Sequence, residues 1–388
     1  MPDPWPCPYC STLYVDMDFK GHLRQSPLCA KASLNDPAQT RIETLLRLVA
    51  ESQGIQPYAK STGFSLPGHG SQYPDCGEVK ALGCDNLGSH PEGKVFVRLY
   101  KRSCLRKTCP VCFEGWASAE AERSLVRLAT FLYGPEYVLD IQSHVREETV
   151  GLRSEEYHRM FVTLLENAVS RPSGSRARSG RPIHVVISPP QDEPFNKRNY
   201  RRYRSEAYKI GKECGLKGGN LIPHPYRLKC KSCGGLIPDY NRVCECSGKA
   251  FVWDIGPHFH CVGFGWIEHV KEAYERHGWV VKNLGIRKSV FWTLQYILSH
   301  AGIFTDPESG YERVSFHVVT WFGDLAYNKM VAVPEMPVPR PACAYCWHEL
   351  RPFQWVGSLD RPPPDFDEER KECNEFLASP SDWLPVGM

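Results

Sequence analysis

Two histidines, His258 and His260, flank a single phenylalanine in the stretch "GPHFHCVGFG" (256–265). Side chains alternate between the faces of a strand, so both imidazoles share one face while Phe259 and Cys261 take the other. A same-face imidazole pair is either the start of a divalent-metal site or a hydrogen-bonded pair in a core. A second chemistry lies downstream, where 3.6 residues per turn put Val290, Leu294, Ile297 and Ala301 on one apolar stripe. Tyr296 falls on another face, with His300 one turn beyond it. A phenol and a third imidazole thus project together from a helix expected to pack on the histidine strand.

The chain has 17 cysteines. Most stand in pairs two residues apart, and a long chain with no signal-peptide pattern favours zinc over disulfides. Cys7, Cys10, His22 and Cys29 offer four ligands at C-x2-C-x11-H-x6-C spacing, and Cys230, Cys233, Cys244 and Cys246 offer four at C-x2-C-x10-C-x-C. Both sets suit tetrahedral zinc, the second as a small ribbon on a hairpin. Between them, Cys76, Cys84, Cys104, Cys109 and Cys112, with His90, exceed the four positions of one zinc. One site using Cys109 and Cys112, or two sites, fits that count. Cys343 and Cys346 lack a partner pair in sequence, with His348 and Cys373 as candidates.

These groups must be carried by regular elements. Helices are expected over 39–52, 116–132 and 155–169, with a Tyr/Val/Ile-rich strand near 137–142. Residues 53–74 read as a linker and 171–182 as a flexible basic loop. "IHVVISPP" (183–190) is a β-branched strand stopped by prolines, and "FNKRNYRRYRSEAYKIGKECG" a basic helix with interleaved tyrosines. Strands follow in "GGNLIPHPYRLK", "AFVWD", "HFHCVGFGWI", "GWVVKNLG" and "RVSFHVVTWFG", and a helix in "KSVFWTLQYILSHAG". Several strands with a few helices indicate an α+β fold with a mainly antiparallel sheet. The expected division is a finger at 1–35, helix and linker at 36–75 and a Cys-rich helical region at 76–170. A core at 171–330 follows, with the ribbon inserted at 228–248, then a Cys-containing segment and acidic tail at 331–388.

Charge is uneven although the net is only +3. Residues 171–231 hold fifteen Lys/Arg against four Asp/Glu, and 360–382 eight acids against three bases. A basic middle suits a polyanion, and an acidic end a solvated tail. Lys197, Arg198, Arg201, Arg202, Arg204 and Arg227 are the candidate phosphate contacts, with tyrosines as stacking platforms for unpaired bases. No apolar run reaches about 18 residues, so a membrane partner is not expected and a cytoplasmic location is.

"PHFHCVGFG" followed by "YILSH" resembles the HUH endonucleases, in particular the rolling-circle replication initiators of archaeal plasmids and viruses. The likeness extends to "HVVISPP", "GLKGGNLIPHPYR" and the upstream "CLRKTCPVCFEGWASAEA", covering roughly 76–330. It implies a ferredoxin- or RRM-like nuclease core in which His258 and His260 hold Mg2+ or Mn2+. Tyr296 is then the nucleophile, leaving a covalent 5′-phosphotyrosine. A third ligand is implied, His300 first and His224 second, alongside several structural zinc ions. The implied partners are single-stranded origin DNA, a hairpin or duplex origin, and a host helicase and polymerase, since no G-x-x-x-x-G-K-[ST] motif is present. One turn from Tyr296 stand Trp292 and His300, so a single nucleophile is implied, unlike the two-tyrosine branch. A single-tyrosine transposase or mobilisation relaxase uses the same chemistry. A zinc-finger regulator without catalysis would need no Tyr296/His258/His260 set.

Overall fold

A computed structural model describes residues 63–149, 154–172, 180–190, 194–236, 246, 251–305, 316–330, 333, 341–358, 362–367 and 374–386, with two short paired strands, β1 (Trp5–Pro6) and β2 (Leu13–Tyr14). The quartet Cys7, Cys10, His22 and Cys29, the expected helix at 39–52 and Cys244 lie outside the described residues, as does most of the basic loop.

β3 (Phe64–Ser65) leads to the hairpin β4 (Val79–Cys84) and β5 (Val95–Lys101). Three helices follow: α1 (Phe113–Tyr133), α2 (Pro135–Glu148) and α3 (Ser154–Ser170). Next come β6 (Ile183–Ser188), α4 (Tyr200–Glu213), β7 (Leu216–Cys230), β8 (Phe251–Gly265), α5 (Val270–His277) and β9 (Val280–Ile286). α6 (Val290–Ser299), β10 (Ile303–Phe304) and β11 (Thr320–Gly323) precede the final strands β12 (Arg351–Trp355), β13 (Glu375–Ala378) and β14 (Trp383–Pro385).

Ten of the strands form two five-stranded antiparallel sheets, ordered β11-β7-β8-β6-β9 and β13-β5-β4-β12-β14, and β3 pairs with β10. The chain is therefore α+β, as its pattern predicts. In the first sheet alternation sorts β8 cleanly. Phe259 and Cys261 join Ile187 and Val185 beneath Tyr200, Tyr203, Ala207 and Ile210 of α4. Val262 and Phe264 point the other way, into a core with α6 and the bundle α1–α3. β7 and β8 approach closely: a Cβ at Gly263 would lie 2.3 Å from the Gly218 carbonyl oxygen, so only glycine fits there.

Several expectations change. Residues 137–142 belong to a helix, α2, not a strand. Pro135 at its first position suits a helix start, and Val138, Ile141 and Val145 bury one face at helical spacing, which overrides their β propensity. The expected strands "AFVWD" and "HFHCVGFGWI" merge into one, Phe251–Gly265, which ends before Trp266. The described part of the acidic end, 374–386, is not a solvated tail: β13 pairs with β5, β14 with β12, and Trp383 is buried with Val97 and Phe353. Apolar residues between the acids drive this, and Glu375 is neutralised by Arg98 at 2.8 Å. Segments expected to be separate, 76–101 and 351–385, thus share one sheet. Among the described residues no helix is long and apolar enough to cross a membrane.

Candidate metal centre

His258 and His260 do share a face, with ring centroids 5.0 Å apart. β7 supplies a third imidazole. His224 pairs directly with His258 across the ladder, and opposed residues of an antiparallel pair point to the same side. Its ring lies 5.1 Å from His258 and 4.3 Å from His260, and one ligand atom from each of the three falls within 4.8 Å of the others. β6 adds His184, whose Nε2 meets His260 Nδ1 at 2.7 Å while its Nδ1 accepts from Arg287 Nε at 3.1 Å. The second imidazole of this face is thus held from behind by a chain of two partners: Arg287 donates to His184 Nδ1, and His184 Nε2 donates to His260 Nδ1.

The sequence ranks His300 before His224 as third ligand, and the structure groups His224 instead. α6 ends at Ser299, and His300 is its C-cap with φ −133°, so it does not continue the helix from Tyr296. Its ring lies 4.4 Å from His224, 6.2 Å from His260 and 4.6 Å from Tyr296, forming a bridge between the trio and the phenol. The turn beyond it is held to β7 by Gly302 N donating to the Pro223 carbonyl at 2.7 Å.

Burial pushes His224, His258 and His260 well below the ordinary imidazole range and His184 down to about 3. All four are neutral at physiological pH, the form that binds metal. His258 Nδ1 faces the Gly256 carbonyl at 2.7 Å. A carbonyl only accepts, so Nδ1 carries the proton and Nε2 presents its lone pair. Both ring nitrogens of His224 are buried, and neither has a hydrogen-bond partner among the described residues. Leaving such atoms unpaired costs about 1–3 kcal/mol each, and coordination of an ion by one of them would remove that cost. His258 Nε2 and His224 thus have lone pairs to offer a divalent ion, and His260 would join them on giving up its Nε2 proton.

Tyr296 sits on α6, which is fixed from both sides. Ser289 caps its start, accepting from Trp292 N at 3.2 Å. Glu166 of α3 accepts from Val290 N at 2.8 Å and Phe291 N at 2.7 Å, while Ser170 Oγ donates to the same carboxylate. Gln295 Nε2 donates to Ser118 Oγ of α1 at 2.6 Å. Glu166 escapes detection in sequence because it reaches a helix more than a hundred residues away. Its only signal is an acid on the otherwise apolar face of α3.

The cysteines resolve into distinct groups. Cys76, Cys104, Cys109 and Cys112 form one, and Cys84, His90, Cys343 and Cys346 another. Five thiols between 76 and 112 thus divide between two groups, and among the described residues Cys343 and Cys346 gather with Cys84 and His90, while His348 stays outside the group and Cys373 lies outside the described residues. Cys230, Cys233 and Cys246 gather at the tip of the β7–β8 hairpin. Burial acts against the thiolate in every quartet member that shifts. Hydrogen bonds, led by Cys76 to Cys112 and by the His348 backbone to Cys346, nevertheless bring Cys112 down to about 7 and Cys346 to about 6. Each quartet therefore contains a thiol poised to ligate.

The basic helix α4 lies across the sheet from the histidines. Lys197, Arg198, Arg201 and Arg202 are exposed and Arg204 is half-buried. The interleaved tyrosines do not serve as stacking platforms as expected: Tyr200 and Tyr203 are buried in the core, and Tyr208 bonds Thr320 Oγ1 at 2.6 Å. Arg227 is on the histidine side, donating to Ser188 Oγ at 2.8 Å and the Gly256 carbonyl at 3.3 Å. Compared with family models, curated proteins and solved structures, the chain matches none.

Proposed function

We propose that residues 171–330 form a HUH-type endonuclease core that nicks single-stranded origin DNA through Tyr296 and so initiates rolling-circle replication. The observation that carries this reading is the same-face trio His224, His258 and His260, linked through the His300 ring to Tyr296 on the overlying helix. The succession β6-α4-β7-β8-α5-β9, with strand order β9-β6-β8-β7, supports it as the split βαβ, ferredoxin-like arrangement.

When bound, Mg2+ or Mn2+ would supply Lewis-acid polarisation of the scissile phosphate. Tyr296 Oη forms the new bond to phosphorus and gives up its proton. The P–O3′ bond breaks, and the 3′ oxygen takes up a proton to leave a free hydroxyl. The 5′-phosphotyrosine keeps the phosphodiester's energy, so a 3′-hydroxyl can reverse the step and rejoin strands. Arg227, close enough to His258 to help lower its pKa, is placed to meet phosphate. α4, on the reverse face, suits a hairpin or duplex part of the origin, and a host helicase and polymerase would do the unwinding and copying. Tyr296 is only 5% exposed, so strand entry must part α6 from the sheet.

The test is a denaturing gel of 5′-labelled and 3′-labelled single strands from the source replicon, with Mn2+. Wild type should yield a protein adduct at the 5′ end of the product. Tyr296→Phe should bind DNA normally and form none. An adduct from Tyr296→Phe at the wild-type rate makes another residue the nucleophile, and no nicking by wild type on any origin strand favours the non-catalytic zinc-finger binder.

A further inference from the structure

The hairpin β4–β5 carries a Cys/His group at each end. Cys76 and Cys104 bracket its open end, where Gly77 N donates to the Arg102 carbonyl at 2.8 Å, and they join Cys109 and Cys112. Cys84, the last residue of β4, and His90, in the turn leading to β5, mark the other end. There they meet Cys343 and Cys346. We infer that a structural zinc ion held by Cys84, His90, Cys343 and Cys346 staples the carboxy-terminal segment 341–386 to this hairpin. Two stretches of chain separated by the whole histidine sheet thereby become one domain. This inference stands independently of the nuclease proposal.

The ligand atoms stand close to the spacing a tetrahedral ion requires. His90 Nε2 lies 3.2 Å from Cys343 Sγ and 3.4 Å from Cys346 Sγ, and Cys84 Sγ lies 3.5 Å from Cys346 Sγ. Bonds of about 2.3 Å to sulfur and about 2.0 Å to nitrogen place tetrahedral ligands roughly 3.5–3.8 Å apart. The imidazole is already in the required tautomer. His90 Nδ1 faces the Lys94 carbonyl at 2.9 Å, so it carries the proton and leaves the Nε2 lone pair aimed at the thiols. Cys343–Cys346 forms a tight knuckle: Tyr345 N approaches Cys343 Sγ at 3.4 Å, and Trp347, at φ +62°, donates its N–H to the Cys343 carbonyl at 3.1 Å. Three thiolates and one imidazole form a soft, closed set that suits zinc and excludes Mg2+ or Ca2+.

The need for a staple is visible in the packing. Among the described residues, the buried apolar side chains clustered with this group are Phe96 and Leu350, with Leu82 and Leu377 partly covered. β12 meets β4 through three residue pairs, Arg351–Gly83 to Phe353–Ala81. So small a core with so short a ladder is the setting in which small domains use metals.

The experiment uses the full chain. Native mass spectrometry counts zinc while N-ethylmaleimide labelling, read by peptide, follows each thiol during titration with a chelator. Cys84, Cys343 and Cys346 should be protected together and become reactive together as one zinc ion leaves. His90→Ala should lose one zinc per chain and unmask Cys346, distant in sequence, whereas His90→Cys should restore both the ion and the protection. If His90→Ala fails to fold, the wild-type titration still decides. Fast labelling of these three thiols in zinc-loaded wild type, unmasking that is not concerted, or a Cys84–Cys346 disulfide in the intact mass would each overturn the inference.

Discussion

The two sheets have equal strand numbers, and the chain builds them in opposite ways. The histidine sheet comes from one stretch, 183–323, and has a large apolar core on each face. The other is assembled from 79–101 and 351–385 around a handful of side chains. Where apolar burial holds the framework, imidazoles can be kept neutral and incompletely bonded at a site. Where the core is small, the same soft ligands hold the framework itself. Metal-binding residue types thus have different work in the two regions, and that contrast can be tested.

The largest effect should follow from His258→Ala. Nicking should fall by more than about 100-fold, because losing a direct ligand should exceed the 10–100-fold typical of outer partners. Zinc per chain should stay at the wild-type number, and parallel nicking and metal assays check both. A drop in zinc would mean that the two kinds of site are not separate.

Protons should also distinguish the sheets. His184, His224, His258 and His260 have folded pKa values below the ordinary 6.5. Above 6.5 both folded and unfolded chains hold these rings neutral. Below it the unfolded chain takes up protons that the folded one refuses, so stability falls as pH drops from about 6.5 toward the folded values. Each such proton contributes about 1.4 kcal/mol per pH unit. Urea melts of chelator-treated protein at pH 7 and pH 5.5 should show the loss, and replacing His184 by Phe should shrink it. A pH-independent midpoint would contradict the buried neutral cluster.

Glu166→Ala should destabilise the core by about 3 kcal/mol, since two buried N–H groups of α6 lose their acceptor. The denaturation midpoint of the histidine sheet should fall, while thiol protection at Cys84 and Cys346 should be unchanged. The smallest effect belongs to the reverse face. Arg201→Ala with Arg202→Ala should lower the salt dependence of DNA binding by about one unit of slope per lost phosphate contact. Adduct formation on saturating strand should stay at the wild-type rate, and a change in that rate would place α4 near the scissile phosphate.

What was legible in the sequence was local. Alternation around His258 and His260, helical spacing at 290–299 and the β-branched run at 183–188 each declare themselves within a few residues and are found, although the helix stops before His300 and Ala301. The missed features are decided far away. The partners of Cys343 and Cys346 lie more than 250 residues upstream, and the register that pairs His224 with His258 depends on how β7 meets β8. Tyr200 and Tyr203 read as exposed among arginines, yet α4 turns them toward Phe195 and Phe259. The strand expected at 137–142 failed because side-chain propensity is weaker than the burial of Val138, Ile141 and Val145 along one helical face.

Glu166 also bears on how the molecule assembles. α6 has ten residues, below the roughly 12–15 at which an isolated helix holds itself in water. Its first turn is closed by a carboxylate 124 residues earlier in the chain, so the contact that completes it requires a long loop to close. The helix bearing Tyr296 therefore depends on α3 being docked. A chain with α3 undocked has the tyrosine in its sequence but not at its address beside the histidines.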